Sequence, residues 1–189
     1  AFKRSAIERW KPELIDGVLT RLLDELAPAG RGDLVASLTS KYPVQVICGI
    51  VGVPMEDHEQ FNEWADQINH GPLRPDPGMA ASAAMVEYLE PLVEARRAEP
   101  TGDLLSELVH AEVDGERLTD GKLYGFLRLL LPAGAETTYR LFGSCLSGLL
   151  THPEVMDRVV EDRSLVAPLI EETLRWDSSV PMVSRRRRR

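Results

Sequence analysis

A carboxylic acid and two hydroxyl groups stand side by side in the apolar segment LLLPAGAETTYR, residues 129–140. Glu136 followed by Thr137 is an acid–alcohol pair that can pass protons along a short relay. The preceding Gly134 has no side chain and leaves the backbone bare on one side, which suits a flat cofactor lying against it. The chemistry that this segment predicts is therefore proton delivery to a bound cofactor.

The same segment also has a purely structural interpretation. Glu136 and Arg140 are four residues apart, so they can form an ordinary helical ion pair. Pro132 lacks a backbone donor and collides with the carbonyl four residues earlier, so it can mark a simple kink. With Gly134 close by, we expect a distorted turn near residues 128–132, of the widened type common at functional sites. The residues alone do not decide between the two interpretations.

A second charged cluster lies in IEETLRW, residues 170–176. Glu172 and Arg175 are three residues apart on one helix face, and Glu171 comes four residues before Arg175. Taken alone, this is an everyday helical ion pair with a structural role.

The elements that must position both clusters are helical, because apolar residues recur at helical spacing along most of the chain. The longest element begins near Thr119 and Asp120, an N-cap candidate, and runs to His152, just before Pro153. It is apolar on nearly every face around Leu127, so it should pass through the core. The fold is therefore predicted to be all-α, with helices in residues 12–27, 42–52, 54–68, 79–99, 103–113, 119–152, 153–162 and 164–177.

Two segments are predicted to interrupt the helices. Residues 69–78, NHGPLRPDPG, contain three prolines and two glycines, which predicts a loop throughout. Asp114 and Gly115 predict a turn.

Composition narrows the class of protein. The 189 residues are 43% hydrophobic and 28% charged, as in a soluble globular domain. The net charge is −8 although the chain ends in five arginines, Arg185–Arg189. The acidic body argues against a general nucleic-acid binder, and the terminal run is either a tail for anionic partners or an artefact of truncation. No long uncharged apolar stretch and no signal-peptide core occur, so we expect a cytoplasmic protein without a membrane span.

The two cysteines, Cys48 and Cys145, each lie in an apolar segment. No CxxC motif and no cluster of cysteine and histidine is present in the sequence. We therefore expect buried free thiols, without a disulfide framework or a zinc site.

The order and spacing of the two charged clusters along the chain indicate a protein family. AGAETT in a long helix, EETLRW about 35 residues later and then DSSVPMVSR resemble the cytochrome P450 family, particularly its soluble bacterial members. YPVQVICGIVGVPMEDHEQFNEWADQI and LLTHPEV are similar to the corresponding family segments. The likeness implies a partial P450 domain in residues 1–185, followed by a poly-Arg tail in residues 186–189.

The resemblance implies haem b (heme) as the cofactor, with the long helix crossing its distal face. Glu136 and Thr137 would then be the catalytic pair that delivers protons during oxygen activation. Ala133, Gly134 and Thr138 would contact the cofactor, Ala133 and Gly134 by letting the backbone approach the porphyrin.

Further roles follow from the same likeness. Glu172 and Arg175 match the family's Glu-x-x-Arg pair, which supports folding and haem retention. Arg185 matches the arginine that pairs with a haem propionate. The predicted loop at residues 69–78 resembles the mobile flap over substrate entry. The positions where family members contact substrate are Leu129, Pro132, Pro181 and Met182.

The sequence departs from the family at the metal ligand. P450s bind iron through a cysteine thiolate in an FGxGxHxCxG loop, well after the Glu-x-x-Arg helix. Neither Cys48 nor Cys145 has such a loop around it, so no residue is predicted to bind iron. The leading segment and the mixed sheet of the family are also without counterparts. We therefore expect about the middle half of a P450, which is catalytically incompetent and does not retain haem by itself.

For the lineage we expect a monooxygenase that inserts one oxygen atom into a C–H or C=C bond of an apolar small molecule. Electrons would come from NAD(P)H through a ferredoxin-type or similar donor, and neither nucleic acid nor a membrane is expected as a partner. The alternative is a non-catalytic helical interaction protein with a basic C-terminal tail. A third interpretation is that the full chain is longer than these residues.

Overall fold

The computed structural model describes residues 4–71, 73–113 and 115–180. The chain divides into two compact units, Ala1–Glu136 and Thr137–Arg189. The expected all-α fold is confirmed. The described helices are α1 (Arg4–Trp10), α2 (Asp16–Leu26), α3 (Lys41–Val51), α4 (His58–Asn69), α5 (Pro75–Ala98), α6 (Leu104–Val109), α7 (Asp120–Thr151), α8 (Pro153–Glu161) and α9 (Val166–Trp176).

The strands of the described residues are confined to one short hairpin. Strand β1 (Glu112–Val113) pairs antiparallel with β2 (Glu116–Arg117). Gly115 in the connection has a φ of 80°, a left-handed conformation that glycine adopts without steric cost. Gly115, part of the predicted turn, thus lies in the connection of a hairpin.

Short turns of other helix types link the α-helices. Lys11–Ile15 and Val35–Thr39 are π-helical, and Ala27–Ala29, Met55–Asp57 and Arg163–Leu165 are 3₁₀-helical. The first π turn contains Pro12, which has no amide to donate to the carbonyl four residues before it. Asp16 closes this turn by donating its backbone N–H to the carbonyl of Lys11.

The widened turn expected at the centre of α7 is not found. The whole of Asp120–Thr151 is described, and it is one α-helix of 32 residues with Pro132 inside it. Proline removes a single donor from the ladder, while Leu127, Leu131 and Ala135 on either side are buried. Their packing against the core accounts for the continuity of the helix through Pro132.

The core of the first unit is formed by α3, α4, α5, α6 and α7. Buried apolar side chains recur along α7 at a spacing of four residues, which places them on one helix face; these are Leu123, Leu127, Leu131 and Ala135. They belong to one cluster with buried residues of the other four helices, among them Ile47, Phe61, Met85, Leu89 and Leu105. One face of α7 is therefore fixed by hydrophobic burial.

The prediction of a loop over all of residues 69–78 is wrong in its second half. α5 begins at Pro75, and Pro75 and Pro77 occupy its first turn, where no amide partner is needed. A Cβ atom at Gly78 would lie 2.7 Å from the Cα of Gly71. The two glycines thus allow the end of α4 and the start of α5 to approach closely.

The ends of α3 and α5 and the start of α6 are joined by the carboxylate of Asp103, whose side chain is only 10% exposed. Its Oδ1 accepts the backbone N–H of Ser106 at 2.8 Å, which caps α6. Its Oδ2 accepts Nε of Arg96 and Oγ1 of Thr101, both at 2.6 Å. Arg96 also donates Nη2 to the carbonyl of Gly52 at 3.4 Å. One carboxylate thereby ties three helix ends together.

Two further features show how closely this carboxylate is packed and held. Gly52, the C-cap of α3, has a φ of 97°, and a Cβ atom on it would lie 2.1 Å from Oδ2 of Asp103. Burial raises the pKa of Asp103, but the hydrogen bonds from Thr101, Arg96 and Ser106 outweigh burial, so the pKa lies below its ordinary value. The charged form is therefore the form that the fold stabilises.

The second unit contains the C-terminal half of α7 with α8 and α9. Ser144 of α7 donates its hydroxyl to Oδ2 of Asp177 at 2.6 Å, just beyond the end of α9. A Cβ atom at Gly148 would lie 3.7 Å from the ring of Trp176, an ordinary van der Waals contact. Asp162 precedes the short turn before α9 and accepts the backbone N–H of Ser164 at 2.9 Å.

Within the part of the chain that the structure describes, no helix has the combination of length and apolar character that crossing a membrane requires.

Replacing Asp103 with asparagine should destabilise the first unit. Asp103→Asn keeps the size of the side chain but removes the negative charge of the carboxylate, to which Arg96 and Thr101 donate hydrogen bonds. We expect the free energy of unfolding to fall by about 1–3 kcal/mol, measured by urea denaturation at neutral pH. The control is Asp24→Asn at an exposed position of α2. Equal effects of the two substitutions would contradict the role given to Asp103.

The contribution of Asp103 should also depend on pH. Because its pKa is lowered in the folded state, its contribution is fully present above the unfolded pKa of about 4 and is lost as the pH falls through the folded pKa. The stability difference between wild type and Asp103→Asn should be constant from about pH 6 to 8 and shrink below about pH 4. Urea denaturation at each pH measures it. A difference that grows on acidification would show that the sign is wrong.

Candidate functional site

One face of α7 in the first unit is apolar and open to solvent. Phe126 is 39% exposed and Leu129 is 69% exposed, and Ala133 is exposed as well. These three residues, called here the α7 stripe, are spaced by three and four positions and so share a helix face. Since the opposite face is buried in the core, the α7 stripe is the surface of α7 that the first unit leaves available for a ligand.

The acid–alcohol pair follows the α7 stripe along the same helix. Thr137 comes four residues after Ala133, and Glu136 directly precedes it. Both side chains are half-buried, whereas Thr138 is exposed. The sequence-predicted catalytic residues are therefore consecutive positions of a continuous helix.

The backbone at Gly134 was expected to be open on one side, but a neighbouring side chain lies against it. The position of its missing Cβ atom is 3.0 Å from Cγ1 and 3.1 Å from Cδ1 of Ile47 on α3. The absence of a side chain thus permits close packing between α7 and α3. Its predicted contact with haem stays a prediction, and the contact that the structure shows is with Ile47.

The predicted substrate contacts fall into two groups. Leu129 is exposed on the α7 stripe, while Pro132 is buried beside Leu131. Pro181 and Met182 lie outside the described residues, and so do Arg185 and the terminal arginines 186–189. The substrate and cofactor roles of all these residues stay predictions, and so does the proposed basic tail of the alternative interpretation.

Glu172 and Arg175 form the predicted pair on α9. Nε and Nη2 of Arg175 donate to Oε2 and Oε1 of Glu172 at 2.8 and 2.6 Å. The hydrogen bond from Arg175 lowers the pKa of Glu172 below its ordinary value. Both side chains are exposed, at 71% for Arg175 and 61% for Glu172. The two-pronged geometry is well suited to hold the pair in one orientation, although exposed ion pairs contribute little to stability.

The two cysteines differ in their surroundings. The thiol of Cys48 is completely buried in the core. Burial first, and then the charge of Asp57, raise the pKa of this thiol to about 12, so it stays protonated near neutral pH. Cys145 is half-buried on the second half of α7, eight residues after Thr137. Among the described residues, no three histidine, cysteine or acidic side chains form a metal-binding group.

The described residues can be tested for their fit to a haem. The α7 stripe offers an open apolar surface with the small residue Ala133 closest to the acid–alcohol pair. Such a surface fits the flat, apolar face of a porphyrin, and a carboxyl and a hydroxyl group follow it on the same helix. The fit concerns one face of a haem alone, because the thiol of Cys48 is enclosed in the core and Cys145 lies on α7 itself.

Known proteins resemble the chain over most of its length. It is 38% identical over 180 residues to cytochrome P450 107B1 of Saccharopolyspora erythraea, and the match covers 95% of this chain and 44% of that protein. It is 39% identical over 170 residues to vitamin D(3) 25-hydroxylase of Pseudonocardia autotrophica, and the match covers 89% of this chain and 41% of that protein. The chain thus spans less than half the length of these relatives. No family model matches it.

The fold agrees with the sequence comparison. The crystal structure of CYP109E1 from Bacillus megaterium in complex with testosterone matches with a TM-score of 0.81 and 34% identity, over 93% of this chain and 48% of that one. The two comparisons together place the chain in the cytochrome P450 family, over the stretch of that family that it spans. The resemblance predicted from AGAETT and EETLRW is therefore confirmed, and with it the partial P450 fold.

Sequence reasoning missed two features of this site. Phe126 lies at helical spacing from Leu129 and Ala133, but the apolar residues on all faces near Leu127 hid the stripe. The contact between Gly134 and Ile47 joins residues far apart in the sequence. Periodicity along one helix carries no signal for such a contact.

Removing the arginine of the α9 pair should change the acidity of its partner. In Arg175→Gln we expect the pKa of Glu172 to rise towards its ordinary value, because the hydrogen bond that lowers it is lost. Carboxyl titration by NMR measures this shift, and Arg163→Gln in the preceding turn is the matched control. The urea midpoint should match that of the control, since both members of the pair are exposed. An unchanged pKa of Glu172 would contradict the observed geometry.

Proposed function

We propose that this chain supplies the oxygen-activating side of a cytochrome P450 monooxygenase. The enzyme would insert one oxygen atom into a C–H or C=C bond of an apolar small molecule. The observation that carries the proposal is the exposed α7 stripe, which leads along one helix to Glu136 and Thr137. The naming of the relatives as cytochromes P450 and hydroxylases supports it.

The cofactor of such a site is haem, which supplies the iron that binds and activates dioxygen. Ala133 would lie against the porphyrin, because it is small and exposed on the α7 stripe. Gly134 and Thr138 are the other proposed contacts on this helix, and Arg185 would pair with a propionate.

Glu136 and Thr137 would move protons at this site. The hydroxyl of Thr137 is proposed to donate a proton towards the bound ligand, and the carboxyl of Glu136 to replace that proton. Both side chains are half-buried, so they can face a ligand and still exchange protons with water. A carboxyl group and a hydroxyl group on consecutive residues form the shortest relay that the chain offers here.

The substrate side would be apolar. Leu129 is the exposed member of the proposed substrate contacts, and Pro132, Pro181 and Met182 complete that set. One relative is named a vitamin D(3) 25-hydroxylase, and another was solved with testosterone, which supports an apolar small molecule here. Electrons would reach the haem from NAD(P)H through a ferredoxin-type donor.

We also propose that the 189 residues alone do not catalyse the reaction. The chain has two cysteines, and an iron thiolate needs an accessible one. Cys48 is enclosed in the core, and Cys145 lies on the helix that carries the acid–alcohol pair. A thiolate ligand for the iron would have to come from residues other than these two cysteines.

The relay is tested by Thr137→Ala in the complete haem-loaded protein that contains this segment. With testosterone as the apolar probe, and a ferredoxin with its NAD(P)H-dependent reductase, peroxide released per NAD(P)H oxidised should rise about threefold or more. The reason is that oxygen activation competes with peroxide loss when proton delivery is impaired. The readout compares peroxide formed with NAD(P)H consumed.

Thr151→Ala provides the matched control for this experiment. Thr151 is an exposed threonine at the end of the same helix, and its hydroxyl donates only to backbone carbonyls, of Ser147 at 2.8 Å and Gly148 at 3.2 Å. Its substitution should leave the peroxide ratio unchanged. A ratio for Thr137→Ala equal to that of Thr151→Ala would refute the relay.

A further inference from the structure

At Gly134, α7 packs closely against a side chain of α3. A Cβ atom at Gly134 would lie 3.0, 3.1 and 3.5 Å from Cγ1, Cδ1 and Cβ of Ile47. All three atoms belong to one side chain that is 6% exposed. The missing Cβ atom thus leaves a notch in α7, and Ile47 fills that notch.

The other glycines of α7 have no such neighbour. Nothing lies within 4 Å of the Cβ position of Gly121, Gly125 or Gly143, and at Gly148 the nearest atom is 3.7 Å away. Among the glycines of α7, Gly134 is therefore the one at which a Cβ atom would meet a tightly packed neighbour. It is also the one that precedes Glu136 by two residues.

We propose that Ile47 is a positioning residue for Glu136. Seated in the notch, its side chain would fix the rotation and the height of the α7 turn that carries this acid; the inference rests on the function proposed above. Ile47 is β-branched and therefore stiff at χ1, which suits a wedge. Pro132 deprives the same region of one backbone hydrogen bond, so the turn depends more on contacts from the side.

The geometry gives the contact a direct connection to the relay. Glu136 comes two positions after Gly134, which is less than one helical turn. Rotation of the backbone at Gly134 therefore moves the Glu136 carboxyl with it. Ala135 between them is buried in the core, which resists sliding of α7 along its neighbours. Its side chain is too small to act as a wedge. Ile47 therefore provides the shape-specific constraint at this turn.

The first test uses Ile47→Val, which removes Cδ1, one of the two atoms closest to the notch. The matched control is Ile50→Val, the same change at a residue of α3 that is 7% exposed and outside the notch. In the chain without haem, amide hydrogen exchange at residues 134–138 should become about threefold faster or more in Ile47→Val. It should be unaltered there in Ile50→Val. Equal exchange in both variants overturns the proposal.

The second test asks whether the constraint acts on the relay. In the complete haem-loaded protein with testosterone, Ile47→Val should raise the peroxide released per NAD(P)H oxidised by about twofold, and Ile50→Val should not. Gly134→Ala should also raise the peroxide released per NAD(P)H oxidised, because its Cβ atom would crowd Ile47. In the double variant with Ile47→Val, this ratio should return part of the way to the wild-type value. Independent, additive effects of Gly134→Ala and Ile47→Val would contradict a shared notch.

The outcomes separate this inference from the proposed function. An effect of Thr137→Ala without any effect of Ile47→Val leaves the relay intact and refutes the positioning role. No effect of Thr137→Ala refutes the relay itself, and the positioning role falls with it.

Discussion

The close approach of α3 and α7 at Gly134 is the constraint on which the first unit's site depends. Cγ1 of Ile47 lies 3.0 Å from the position where any other residue would carry its Cβ atom, so a side chain at this position would push Ile47 back by a few tenths of an ångström. Four buried residues of α7 continue the same packing along the core. With that side fixed, the opposite side of the helix, with Leu129 and Ala133, is left open. The orientation of the candidate site follows from the burial of the face behind it.

The charged groups divide into those that hold the fold and those that can act on a ligand. Asp103 is almost enclosed and joins three helix ends through hydrogen bonds from Arg96, Thr101 and Ser106. Glu172 and Arg175 are paired on the surface of α9, and their role in folding and haem retention stays a prediction. Glu136 is half-buried and follows the exposed apolar stripe on α7, and its catalytic role is the one proposed above.

Much of this arrangement could be predicted from local sequence. The extent of α7 follows from the N-cap candidate at Thr119–Asp120 and from Pro153, and the order of AGAETT and EETLRW was enough to predict the family. Two predictions failed because proline has positional meaning: Pro75 and Pro77 begin α5, and Pro132 stays within an α-helix. Contacts between distant residues, such as Ile47 with Gly134, depend on packing in three dimensions and leave no periodic signal.

The central claim is that this chain provides the oxygen side of a haem site and not the ligand of its iron. Titration of the chain with haem, followed by the absorbance of the reduced, CO-bound form, tests that claim most directly. The account predicts no thiolate-type Soret band, because Cys48 is enclosed as a protonated thiol and Cys145 lies on α7, the helix that also carries Glu136 and Thr137. A thiolate-type band that disappears in Cys48→Ala or Cys145→Ala would contradict it, since a cysteine of this chain would then bind the iron.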